Sequence, residues 1–181
     1  LNGVILVSPA DYKLYSTNQP IYSAINLPYF TAAAWYHKVL PPELQNKDLL
    51  DILPESENYA INTLMPALAK GSNISDEERN SVAEQMSFYS GLSKKSILNH
   101  NLEVPTSFFW KELMRDKTGY TIGRLDSRYL GIDRINAGTS PDYSPELTSW
   151  LHSFTPAINH YIKSELNFNT DIKYNMFGDV H

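Results

Sequence analysis

The sequence predicts a mainly α-helical chain with a few short strands, and three observations carry that prediction. Apolar residues from Leu147 to Leu166 recur at helical spacing over several turns. Ser75-Asp76-Glu77-Glu78 has the residue types of a helix start, and Gly91 those of a helix stop. By contrast 118–144 holds glycines at 119, 123, 131 and 138 and shows no helical period, so turns and short strands are expected there.

Taken in order, Val4-Ile5-Leu6-Val7 is a branched apolar run ending at Ser8-Pro9, the pattern of a central strand covered on both faces. Such a strand needs neighbours, so the chain is expected to be a fragment of a longer protein. From Ala10 to Pro28 the residues are rich in Tyr, Ser, Asn and Pro, and an ordered loop is expected. Pro28 then suits a first helical position, and a helix is predicted over Tyr29 to Leu40, stopped by Pro41-Pro42.

A second helical stretch runs from Leu49 to Lys70, ended by Gly71 and broken or kinked at Pro54 and Pro66. The third starts at the Ser75 cap, where Glu78 is expected to reach back in a capping box, and ends at Ser90. Ser93 caps a short helix to about Asn101, and Thr106 to Lys117 forms another with Phe109 and Leu113 one turn apart. Pro156 should bend the long helix after Leu147, and Ile172 to Phe177 alternates as a strand does.

The chain has 181 residues, enough for one ordinary domain that buries roughly 70% of its unfolded surface. A net charge of -5 without any basic run leaves no footprint for nucleic acid or an anionic membrane, and no apolar run reaches the length of a spanning helix. The absence of cysteine removes thiolate nucleophiles, disulfides and cysteine metal sites together.

The sequence holds no G-x-S-x-G nucleophile elbow, S-x-x-K, G-x-x-x-x-G-K-[ST] phosphate loop, G-x-G-x-x-G dinucleotide fingerprint or H-E-x-x-H. The five histidines are scattered, and His152 and His160 are too far apart along one helix to share a metal. Asp76-Glu77-Glu78 is explained by the helix start, and the sequon Asn73-Ile74-Ser75 overlaps the same cap. In Gly123-Arg124-Leu125-Asp126-Ser127-Arg128 two guanidinium groups flank a carboxylate on an extended stretch. That pattern reads as an ion-pair clamp on a turn or as an anion or substrate contact.

Beside these readings the chain resembles the bacterial branch of the serine carboxypeptidase family of α/β-hydrolases (peptidase family S10). The resemblance rests on Leu1 to Ser8, Leu27-Pro28-Tyr29, Ala32-Ala33-Ala34-Trp35-Tyr36-His37, Leu64-Met65-Pro66-Ala67-Leu68, Gly123 to Arg128, and the last helix with Tyr161 and Leu166. It implies one domain over 1–181, made of a core-type strand (1–9), a helical cap or lid (10–168) and a returning strand (169–181). The family's G-E-S-Y-G elbow would lie upstream and its Asp and His downstream, so no catalytic residue carries over and the fragment itself is expected to be inactive.

Its partners would then be a peptide substrate, met through the full-length protein, and the missing α/β-hydrolase core. No metal and no cofactor is called for. On the first predicted helix Tyr29 and Tyr36, seven residues apart, share a face and are the candidate substrate-binding residues, while Phe30 and Trp35 fall on the side expected to join the core. The competing reading is a stand-alone helical binding or scaffold module with its own core and an apolar groove.

Overall fold

The computed structural model describes residues 20–172 and Tyr174. Its framework is helical, as expected. The first helix, α1, spans Pro20–Tyr36 and includes Pro28 in its interior, which corrects both the loop expected to Pro28 and the helix expected to Leu40. An interior proline removes an amide donor and should break a helix. Here Ala24, Leu27, Phe30, Ala33 and Ala34 are all buried on either side of it, and tertiary burial outweighs the local cost.

α1 ends at Tyr36 because Lys38 turns left-handed, with φ 59°. The Lys38 amide then donates to the Trp35 carbonyl at 3.2 Å and the Val39 amide to that of Ala34 at 3.0 Å, a Schellman stop made without glycine. Helix α2 covers Pro42–Gln45, and α3 covers Leu49–Tyr59 with Asp48 accepting from the Leu50 amide at 2.8 Å.

The second helical stretch is continuous to Lys70 but changes pitch, as its prolines demand. A π-turn occupies Ala60–Leu64, where Met65 donates to the Ala60 carbonyl, and α4 follows at Met65–Ala69. The wider turn lets the Pro66 ring pass the preceding carbonyls. After a single 3₁₀ turn at Gly71–Asn73, α5 spans Asp76–Ser90. Ser75 Oγ accepts from the Glu78 amide at 3.2 Å, but the Glu78 carboxylate reaches Lys70 Nζ at 2.6 Å, so only half of the expected capping box forms. Gly91 closes α5 at φ 72°.

Ser93 caps α6, Lys94–Asn99, through the Ser96 amide at 3.0 Å. The next expected helix divides into α7, Thr106–Glu112, and α8, Arg115–Thr118. Two-residue strands β1, Thr121–Ile122, and β2, Leu130–Gly131, pair antiparallel with Ile122 opposite Leu130. Between β2 and the last helix the chain is irregular and is fastened by Lys111 of α7. Its Nζ donates to Asp133 Oδ2 and to the Ile135 carbonyl at 2.5 Å each, with both charged side chains almost fully buried. Helix α9 spans Pro145–Ser164 with Pro156 inside it.

α1 packs against α3 and α5. Their core includes Leu27, Phe30, Ile52, Leu64, Met86 and Ile97, and it extends through the stacked rings of Phe30 and Phe109, 4.0 Å apart, to Ile122. Among the described residues no helix is long and apolar enough to cross a membrane. The strand expected at 1–9 lies outside the described residues. Of the returning strand expected over 169–181, residues 169–172 and Tyr174 are described and are irregular.

Candidate functional site

The sequence-predicted pair Tyr29 and Tyr36 lines one groove of about 360 Å³, between α1 and the turn that links β1 to β2. Ala32 and Ala33 are the small residues of its helical wall, Leu49 and Leu125 add apolar surface, and Asp126, Ser127 and Arg128 form the other side. Tyr29 is half-buried, whereas Tyr36 is 49% exposed with its ring edge-on to His37. Phe30 belongs to the core as expected. Trp35 departs from its expected side: it packs partly on the core but also lines the groove, with its indole Nε1 donating to the Lys47 carbonyl at 3.0 Å.

The groove's far wall is held by contacts that the sequence pattern did not show. Trp110 Nε1 donates to the Tyr29 hydroxyl at 2.8 Å, so the phenol proton is free to go to Ser127 Oγ, 2.6 Å away. Burial pushes the Tyr29 hydroxyl above the ordinary phenol range, against the pull of its Ser127 and Trp110 hydrogen bonds, so at neutral pH it is a protonated donor. His37 Nε2 lies 2.6 Å from the Ser127 carbonyl, and because a carbonyl only accepts, that ring nitrogen carries the proton. The imidazole therefore meets the backbone of Ser127 and not its hydroxyl, and the three residues do not form a nucleophile and base.

Beneath the turn Glu146, fully buried at the start of α9, accepts from the Leu125 amide through Oε1 at 2.6 Å. Its Oε2 has no hydrogen-bond partner among the described residues. Gly123 is required at this point, since a Cβ there would overlap both Glu146 Oε2 and the Asp126 carbonyl oxygen. Trp150 of α9 adds a hydrogen bond from Nε1 to the Tyr129 hydroxyl at 3.1 Å. No sequence signal separates Glu146 from an ordinary acid in a first helical turn. Ser127, His37 and Trp110 are equally silent because their partners lie at least 81 residues away.

The ion-pair clamp is only partly as expected. Arg128 pairs bidentately with Asp126, Nε to Oδ1 at 2.9 Å and Nη2 to Oδ2 at 2.6 Å, but the guanidinium is 67% exposed and the pair is local. These hydrogen bonds hold the Asp126 carboxyl below the usual range. Arg124 is exposed and has no partner among the described residues, so the two guanidinium groups do not share the carboxylate. The turn is held against the helices by Ser127, Leu125 and Tyr129 instead.

Among the described residues no three His, Asp or Glu side chains are placed to hold a metal ion. The groove's groups position and accept or donate hydrogen bonds, and its apolar wall can take a side chain. Comparison with known proteins finds no matching family model, no similar curated protein and no similar solved structure.

Proposed function

We propose that this chain is the cap of a serine carboxypeptidase-like hydrolase, a helical roof that shapes the peptide pocket while the reacting groups stand on a separate α/β core. The observation that carries the reading is the unequal burial of the two long helices. α1 lies in a core of its own, whereas α9 leaves Phe154 and Tyr161 about half exposed along its apolar side. A cap needs both surfaces, one closed on itself and one that seats on the catalytic core.

In this reading the Tyr29–Tyr36 groove receives the residue before the scissile bond. A protonated Tyr29, held by Trp110 and Ser127, is the fixed wall, and the exposed Tyr36 ring closes on the side chain. Hydrolysis itself belongs to a nucleophile, base and oxyanion donors outside this chain.

The reading frame around the chain is the first test: G-E-S-Y-G before Leu1, with Asp and His after His181, supports the proposal. In that parent enzyme Tyr36→Ala should change the ratio of kcat/KM between bulky and small residues before the scissile bond by about 1 to 3 kcal/mol. A constant ratio removes the groove from the substrate site. The stand-alone binding module is the second reading, favoured by the same apolar side of α9, and a complete reading frame without those three catalytic elements decides for it.

A further inference from the structure

A second cavity, of about 380 Å³, shares no residue with the Tyr29–Tyr36 groove. It opens between the end of α4 with its 3₁₀ turn and the chain that follows α6. Leu68, Ile74 and Leu102 give it apolar walls, and two residues of opposite charge, Arg79 of α5 and Glu103, complete its lining.

Both charged side chains are half-buried, and neither is neutralised within the described protein. Among the described residues Arg79 uses Nη2 alone, toward Asn101 Oδ1 and the Leu98 carbonyl, and has no carboxylate partner. Its neighbour Glu78 is taken by Lys70. The Glu103 carboxylate has no partner among the described residues, and the two charges do not pair with each other although they line one cavity. An unpaired, partly desolvated charge is costly, and two of opposite sign held apart leave room for a bridging group.

The backbone keeps that separation. Asn101 and Leu102 both adopt left-handed conformations, φ 53° and 69°. Leu102 has a side chain that rarely accepts this geometry, yet it is buried with 2% exposure and its amide donates to the Ile97 carbonyl at 3.1 Å. The bend turns Leu102 into the cavity wall and carries Glu103 past it, while Asn101 holds one arm of the guanidinium and leaves Nη1 and Nε free.

We propose that the cavity binds a small zwitterion, an α-amino acid with an apolar side chain. Arg79 takes the α-carboxylate, Glu103 takes the α-ammonium, and Leu68, Ile74 and Leu102 take the side chain. A simple anion meets repulsion from Glu103 and a simple cation meets it from Arg79, whereas a zwitterion satisfies both. The inference is independent of the peptidase reading, and each can fail without the other.

The test is calorimetric titration of the 181-residue chain with L-leucine, leucinamide and N-acetyl-leucine. Leucine should bind saturably and each blocked analogue at least about tenfold more weakly, because each lacks one of the two charge-assisted contacts. Glu103→Gln is the deciding variant, since its carboxylate holds nothing among the described residues: it should weaken leucine at least about tenfold with a melting temperature no lower than that of the parent chain. Arg79→Lys should weaken it too, and Ser72→Trp, at the exposed rim, should block entry without touching the core. No saturable leucine binding, equal binding of leucine and either analogue, or full affinity in Glu103→Gln overturns the proposal.

Discussion

α1 and α9 are both long helices with an interior proline, and they end in opposite places. α9 has the cleaner helical spacing of apolar residues, yet only Pro145 and Glu146 in it are buried. α1 is apolar on most sides and interrupted by Pro28, yet its residues Ala24, Leu27, Phe30 and Ala34 are almost wholly inaccessible. Helical period therefore reports a face that needs covering, and burial reports whether this chain covers it. A helix apolar all round has no strong period because it is surrounded.

The comparison breaks most visibly at Phe109, which stacks on Phe30 with no exposed surface of its own. Phe109→Ala removes a full ring from the junction between α1 and α7 and should cost about 3 to 5 kcal/mol, read as a fall in denaturation midpoint. A loss below about 1 kcal/mol would mean that α1 is not the core helix this account makes it.

Glu146 sharpens the comparison next, because it is the fully buried polar group by which α9 is tied to the turn. Glu146→Ala strands the Leu125 amide in a partly buried site and should cost about 1 to 2 kcal/mol in chemical denaturation. Glu146→Gln keeps an oxygen for that amide, so it should stay within about 1 kcal/mol of the parent chain. Equal damage from both variants would mean that the charge, and not the acceptor, holds the turn.

The legible parts of the fold were those set within a few residues. The caps at Ser75 and Ser93 and the stop at Gly91 depend on local donors and acceptors, and each forms at its expected position. Pro28 misled because a local rule met a buried helix, and Lys38 was missed as a stop because a left-handed lysine has no compositional signal. Of the groove, Tyr29 and Tyr36 were legible as a shared helix face. Their opposite wall lies in the segment read as a clamp or a substrate contact, but its meeting with α1 was not legible, since Ser127 reaches Tyr29 across 98 residues. The cap relationship was legible only as a resemblance, and helical architecture is the part of it that the structure supports.

Asp126 gives a smaller effect than the turn residues around it. Its carboxyl is held below the ordinary value of 3.8 by Arg128, so the pair's contribution is complete above that pH and disappears as pH falls through the lower folded-state value. Solvent screens a guanidinium that is 67% exposed. Asp126→Ala should therefore leave the melting temperature near neutral pH almost unchanged, and whatever difference exists should fade as the pH falls below about 4. A difference that grows as the pH falls would contradict the sign of this shift.

The smallest expected effect is on α9, where it tests the comparison from its other side. Phe154 and Tyr161 line an apolar groove of about 450 Å³ with Ala157, Ile158 and Tyr174, and are 53% and 48% exposed. Serine and aromatic residues have similar helix propensity, so Phe154→Ser with Tyr161→Ser should change the stability of this chain by no more than about 0.5 kcal/mol. Removing exposed rings should also raise the concentration at which the chain stays in solution. In a parent protein whose core covers α9, the same double change should lower the denaturation midpoint by about 2 kcal/mol or more, because the lost rings would then be buried ones. A large loss in the isolated chain would show that α9 already packs on this molecule as α1 does. No loss in either context would leave the apolar side of α9 without a covering partner, and the cap reading would lose the observation that carries it.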